Sequence, residues 1–207
     1  MIKLCVFDFD STLMNGETIT KFAEICGASD KVAQITKNAM AGNLDFFESL
    51  HARAKFLKGT KTEQIAKVAQ SLPFIKGAKE IIAYLKSKGI KVVVFSGGFH
   101  IATDAAREIL GFDASFANYL HEKDGVLTGE VGGEMSFGFS KGALLRELKA
   151  LLGLSADEIM CVGDGANDVS MFKEAGLKIA FCANEVLKKE ATYCVETKDL
   201  MEIAKYV

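Results

Sequence analysis

The sequence predicts an α/β protein: a doubly wound parallel sheet, with a small helical bundle inserted after its first strand. Three observations predict it. Short apolar runs at 2–7, 90–95, 159–162 and 178–181 alternate with segments of helical period, the pattern of strands buried on both faces by crossover helices. Between the first and second runs, residues 14–72 read as helix throughout. Finally, Asp8 and Asp10, Ser96, and Asp164 each follow an apolar run directly, which puts them at strand carboxyl ends, where open α/β sheets bind ligands.

The first strand gives way to Asp8-Phe9-Asp10-Ser11-Thr12. Residues i and i+2 of an extended chain point the same way, so Asp8 and Asp10 face one small volume. Two carboxylates held there repel each other; a divalent cation, a proton relay or a nucleophile–acid pair would each resolve the conflict. Four helices follow. The first covers 17–26 and the second 30–41, closed by Gly27 and Gly42. Asp45 with Glu48 has capping-box spacing and opens a third, to about residue 57; Thr60 with Glu63 repeats the device for a fourth, to about 71, before Pro73. Short connections between them imply a bundle. Strand and helix alternate from there on: helix 78–88, strand 90–95, helix 101–110, and a hairpin within 114–133 turning at Asp124-Gly125. Helix 141–152, a short capping box at Ser155 and Glu158, strand 159–162, helix 169–175, strands 178–181 and 193–195, and helix 200–205 complete the chain.

A chain of 207 residues with 49% hydrophobic and 25% charged side chains fits one domain with a modest insert. Its net charge of −2 excludes a nucleic-acid surface. The charge is divided unevenly: 14–77 holds nine basic and six acidic side chains, net +3, and the remainder sixteen and twenty-one, net −5. An anionic substrate and a cation suit that division. Asp8 and Asp10 interrupt the N-terminal apolar run too early for a secretory signal, and no apolar run has the length of a membrane span. The five cysteines are scattered without a CxxC pair, four of them in strand-like surroundings; buried, reduced thiols in a cytoplasmic protein are expected. His100, at a helix start, has no partner pattern.

Asp8 is the candidate nucleophile, since a carboxylate can attack phosphorus and split hydrolysis into two easier steps. Asp10 is the candidate acid and base, and must be protonated when the ester arrives. A phosphomonoester dianion will not approach bare carboxylates without a hard cation; Mg²⁺, with Asp8 and Asp164 supplying oxygens, fits. Ser96 and Lys141 are candidate donors to the phosphoryl oxygens. Gly97-Gly98, read as opening a helix, would bring backbone N–H groups to an anion. Lys141 at a helix start opposes the helix dipole, which favours function over a solvated lysine.

Asp8-Phe9-Asp10-Ser11-Thr12, Ser96-Gly97-Gly98, Lys141 and Gly163-Asp164-Gly165-Ala166-Asn167-Asp168 together resemble the four motifs of the haloacid-dehalogenase superfamily of phosphatases. The resemblance is nearer to the branch that acts on O-phospho-L-serine and covers almost the whole chain, insert included. It implies a Rossmann-like core of 1–13 and 78–207 under a cap of 14–77. It also implies Mg²⁺-dependent hydrolysis through an aspartyl phosphate, the last step of serine biosynthesis. The backbone carbonyl of Asp10 joins Asp8 and Asp164 as a metal ligand, Asp168 acts on the metal indirectly, and Asn167 contacts substrate or water. Glu17 and Arg53 match cap residues that bind the substrate amine and carboxylate. Phe46 matches a family position, and Met40, Phe46 and Phe47 are placed to shield the site. Phe139-Ser140, just before Lys141, lies outside the signature. The implied partner is a small-molecule substrate, with a homodimer left open. The same residues would serve a phosphotransferase to homoserine or another alcohol, or a phosphatase for another small amine phosphate. A receiver domain of two-component signalling would lack both Asp10 and the helical insert.

Overall fold

The computed structural model describes residues 1–40 and 44–207, Met40 by its backbone alone. The end expected for the second helix, at Ala41 and Gly42, lies outside the described residues. Seven strands form one sheet: β1 (Leu4–Asp8), β2 (Lys91–Phe99), β3 (Ala114–Lys123), β4 (Val126–Gly133), β5 (Ile159–Gly163), β6 (Leu177–Phe181) and β7 (Tyr193–Val195). Their order is β4-β3-β2-β1-β5-β6-β7, all parallel except the β3–β4 hairpin. The order reverses about β1, between β2 and β5, so a crevice opens at the carboxyl end of β1. Every residue of β1 and β5 is buried, as expected for apolar strands covered on both faces.

Four helices stand between β1 and the rest of the core: α1 (Thr18–Glu24), α2 (Ser29–Met40), α3 (Phe46–Ala54) and α4 (Thr62–Ala69). Asp45 caps α3, its carboxylate accepting from the N–H groups of Phe47 (2.9 Å) and Glu48 (3.3 Å). The two chain crossings to these helices are paired: Asn15 N–H donates to Pro73 O (2.8 Å) and Ile75 N–H to Leu13 O (2.9 Å). Leu13, Phe22, Leu50, Ile65, Ile81 and Val92 belong to one apolar cluster that runs from the sheet into the inserted helices.

The helix expected from Thr60 begins instead at Thr62, with no side-chain cap. Residues 59–62 are held by the hairpin: Gly59 N–H donates to Leu127 O, Leu127 N–H to Thr60 O and Thr62 N–H to Gly125 O, each at 2.9 Å. The hairpin itself turns where its sequence indicates, with positive φ at both Asp124 (53°) and Gly125 (74°).

After α5 (Ala78–Ser87), strand β2 does not stop at Phe95. It continues through Ser96-Gly97-Gly98 to Phe99, and the next helix, α6 (His100–Leu110), begins at once, one residue before the expected 101. Gly97-Gly98 therefore close a strand and do not open a helix. The cause is pairing: past a break in register after Phe95, Phe99 pairs again with Asn118 of β3. α7 (Ser140–Leu152) begins one residue before Lys141. The helix expected over 169–175 is a 3₁₀ turn at 166–168 followed by α8 (Val169–Phe172), and the last element is a 3₁₀ helix at 200–206. A four-residue helix, α9 (Glu185–Lys188), is capped by Asn184, whose side chain accepts from Leu187 N–H at 3.0 Å. It is too short to show a period in the sequence. Cys5 and Cys161 are buried, Cys182 is half-buried, and Cys26 and Cys194 are exposed, against the expectation of uniform burial. Among the described residues no helix is long and apolar enough to cross a membrane.

Candidate active site

The crevice at the end of β1 is a cavity of about 680 Å³ roofed by α2 and α3. Of the residues singled out from the sequence, Asp8, Asp10, Glu17, Phe46, Arg53, Gly97, Asp164 and Asn167 line it. Ser96, Lys141 and Asp168 lie beneath the floor, none more than 3% exposed. The side chain of Met40 is outside the described residues. Phe47 faces outward and stacks on Phe137, their centroids 5.1 Å apart.

The chain leaves β1 through a tight turn in which Leu13 and Met14 N–H both donate to Phe9 O at 2.9 Å. This turn separates the two acids' surroundings. Asp8 Oδ1 accepts from Lys141 Nζ, whose second bond goes to Asp168 Oδ1 at 2.6 Å. Asp10 Oδ1 accepts from both the N–H (2.8 Å) and the hydroxyl of Thr18 at the start of α1. Asp168 uses its other oxygen to accept from Asp164 N–H and Gly165 N–H, each at 3.0 Å, and so shapes the turn after β5. Thr12 Oγ1 donates to Asp164 Oδ1 at 3.4 Å.

Asp8, Asp164 and Asp168 each bring one carboxylate oxygen to within 4.8 Å of the others, a group that can hold a metal ion. With both Asp168 oxygens engaged by protein donors, Asp8 and Asp164 keep the free ones. The donor set is all oxygen and anionic, which suits a hard divalent cation. The electrostatics agree. Burial, with Asp8 and Asp168 nearby, pushes Asp164 up to about 9, so a cation here relieves real repulsion. Burial and the charge of Asp8 raise Asp168 to about 6. Burial disfavours the Lys141 charge, yet Asp168 and Asp8 outweigh it and hold that ammonium above its usual pKa. The helix-start lysine thus answers to two carboxylates rather than to solvent.

Asp10 is pushed up to about 7 by burial and by the charge of Glu17, against the lowering effect of Thr18 and Arg53. A carboxyl group poised there can both give and take a proton near neutral pH.

Arg53 and Glu17 meet under the inserted helices, Nη1 to Oε2 at 4.0 Å. Arg53 is fixed by donating to Ser49 O (3.2 Å) and Thr36 Oγ1 (3.1 Å). Burial lowers the Arg53 pKa and raises that of Glu17, so neither charge is fully satisfied by the other. Phe46 packs its ring on Gly97: a Cβ at that position would lie 2.6 Å from Phe46 Cζ. A side chain at Gly97 would push the Phe46 ring off this part of the cavity wall.

The family model for haloacid dehalogenase-like hydrolases matches residues 2–176. This chain belongs to that family. It is similar over its full length to curated hydrolases of one kind. The phosphoserine phosphatase of Campylobacter jejuni subsp. doylei is 55% identical over 207 residues, 100% of both chains. That of Methanocaldococcus jannaschii is 48% identical over 205 residues, 99% of this chain and 97% of the other. Among solved structures, a substrate-bound phosphoserine phosphatase complex superposes with a TM-score of 0.95 at 47% identity, covering 100% of this chain and 99% of that one. A phospho-aspartyl intermediate analogue of phosphoserine phosphatase gives 0.94 at 48%, with the same coverage.

Several residues of this haloacid dehalogenase-like hydrolase carry no signal in the sequence. Thr18 is one of many threonines until the turn brings Asp10 to it. Thr36 and Ser49 matter through Arg53, from two different helices. Cys182, Ala183 and Asn184, after β6, line the cavity; only their place beyond a strand's carboxyl end could have flagged them.

Proposed function

We propose that this hydrolase is a phosphoserine phosphatase, cleaving O-phospho-L-serine to L-serine and phosphate with Mg²⁺ bound, as the last step of serine biosynthesis in the cytoplasm. One observation carries the reading. A single cavity presents an acid pair, Asp8 and Asp10, at its floor and a fixed Arg53 with Glu17 under its roof. The first end suits a phosphoryl group, the second an amino acid's carboxylate and ammonium groups. The full-length relatives that bear this name support it.

In this reading residues 14–77 form a cap over the core. Lys141 fixes Asp8 through one lone pair of Oδ1, which keeps a second for a cation, and Oδ2 attacks phosphorus. As the Asp8–phosphorus bond forms, the bond to the serine oxygen breaks, and Asp10 gives that oxygen its proton. Asp10 then takes a proton from the water that attacks the aspartyl phosphate, releasing phosphate and restoring Asp8. Mg²⁺ on Asp8, Asp164 and the Asp10 carbonyl would shield the anionic ester from the carboxylates. Ser96 and Lys141 hold the phosphoryl oxygens, Asn167 orients substrate or water, and Phe46 closes the cavity.

A turnover panel of phosphomonoesters, run with and without alcohol acceptors, tests the assignment. Phosphoserine is expected to lead, with water as acceptor. Transfer to an added alcohol in preference to water would overturn it.

Two further outcomes follow from the chemistry. EDTA is expected to silence the enzyme and Mg²⁺ to restore it, whereas Ca²⁺, larger and looser in coordination, supports little turnover. Undiminished activity after exhaustive chelation would contradict the roles of Asp8 and Asp164. Asp10→Asn is expected to cost about 10²- to 10⁴-fold on phosphoserine and much less on p-nitrophenyl phosphate, whose leaving group needs no proton. The working form at the first step is protonated Asp10. In the wild type, kcat/KM for phosphoserine therefore falls as pH rises through about 7, and p-nitrophenyl phosphate shows a weaker decline. Equal losses on both esters would reduce Asp10 to a structural residue.

A further inference from the structure

We infer that Asn118, in the middle of β3, is a positioning residue that sets the direction of the Ser96 hydroxyl by fixing the peptide plane between Gly97 and Gly98. The inference rests on the phosphate-holding role proposed above for Ser96.

One rigid peptide unit links Gly97 C=O to Gly98 N–H. Both of its polar groups are held. Gly98 N–H donates to Ser96 Oγ at 2.9 Å, and Gly97 O accepts from Asn118 Nδ2 at 3.1 Å. With Gly98 N–H lying on an Oγ lone pair, the hydroxyl proton of Ser96 turns away from the peptide and is free to donate to an anion. If the plane rotates, that N–H leaves Oγ and the hydroxyl loses its reason to point outward.

Asn118 is itself over-determined. It is fully buried. Its Oδ1 accepts from Met135 N–H (3.1 Å), and Ser136 Oγ stands 3.0 Å away. Only one orientation of the amide serves both sides, nitrogen toward Gly97 and oxygen toward Met135. Gly133, with φ +148°, makes room: a Cβ there would lie 2.8 Å from Asn118 Cα and 2.9 Å from Oδ1. Next to it, Ala117 N–H donates to His100 Nε2 at 3.2 Å, which pins this part of β3 to the start of α6. A buried amide bonded through both its nitrogen and its oxygen, one of those bonds going to the strand that carries Ser96, is a costly arrangement unless that geometry matters.

A cycle of variants tests this with phosphoserine as substrate and inorganic phosphate as a probe of binding. Ser96→Ala alone tests the underlying reading; if it leaves kcat/KM unchanged, that reading fails, whatever Asn118 does. Given a loss in Ser96→Ala, Asn118→Leu is expected to lower kcat/KM about tenfold to a hundredfold and to weaken inhibition by phosphate. In the double variant the two losses should overlap rather than multiply, because Asn118 acts through Ser96. Losses that multiply, or full activity in Asn118→Leu, overturn the inference.

Asn118→Asp supplies an independent arm should the leucine variant fail to fold. The carboxyl group it introduces can, when protonated, donate to Gly97 O while its carbonyl oxygen accepts from Met135 N–H; once ionised, it instead repels Gly97 O. The ratio of variant to wild-type activity should therefore fall as pH rises. The acids of the cavity, Asp8, Asp10 and Glu17, are present in both proteins, so the ratio reads what the new carboxyl group adds. A ratio flat across the accessible pH range overturns the inference.

Discussion

Asp8→Asn is expected to reduce phosphoserine turnover by on the order of 10⁴-fold or more while the protein remains folded. The amide keeps the shape of the side chain but cannot attack phosphorus, so no covalent intermediate forms. Stability should change little, because opposing effects accompany the change. Lys141 loses one carboxylate but keeps Asp168 at 2.6 Å, while Asp164 and Asp168 lose the neighbour that raises both of them. The measurement is single-turnover kinetics beside a thermal melt. Beryllofluoride, a phosphoryl mimic, should label Asp8 in the wild type and leave the variant unlabelled. Full activity in Asp8→Asn would sink the mechanism.

Arg53→Ala should cost about 2–5 kcal/mol of transition-state binding for phosphoserine, typical of losing one partner of a desolvated charge pair. Arg53 is 8% exposed and tied to Thr36 and Ser49. It is therefore already oriented before substrate arrives, and little of its interaction is spent on ordering it. Phosphoethanolamine lacks the carboxylate that Arg53 is proposed to hold, so its turnover should barely change. Comparing kcat/KM for the two esters separates recognition from general damage. Equal slowing of both, or a wild type that prefers neither, would mean that Arg53 and Glu17 read some other group.

The main lines of the fold were legible because the signals are local. Apolar runs such as Ile90 to Phe95 have the length and β-branched content of buried strands, and their alternation with helices implies a parallel sheet. The candidate acids Asp8, Asp10 and Asp164 were legible for a related reason: each lies at or just past the end of a short apolar strand, and such ends are visible in a sequence. What stayed hidden depends on approach between distant segments. Gly97 and Gly98 look like a break because glycine has little strand preference, yet pairing of Phe99 with Asn118 carries β2 past them. Thr60 had the spacing of a helix cap, but its carbonyl goes to Leu127 of the hairpin. Thr18, Thr36 and Asn118 acquire their roles from partners that no local pattern names. Cys26 and Cys194 looked buried among apolar neighbours, and the structure leaves both exposed.

The bonds between residues 59–62 and the hairpin bear on more than the position of α4. Strand β4 ends the sheet and would otherwise offer its outer row of N–H and C=O groups to any passing strand, the usual route to self-association. Leu127 instead finds Gly59 and Thr60, and Gly125 finds Thr62. The helical insert is thus an edge guard as well as a roof. The opposite edge, β7, is three residues long. Excising the insert to obtain a minimal catalytic core would uncover β4 and the apolar face beneath Leu50 and Leu57 together, and the product would be an aggregating sheet rather than a smaller phosphatase.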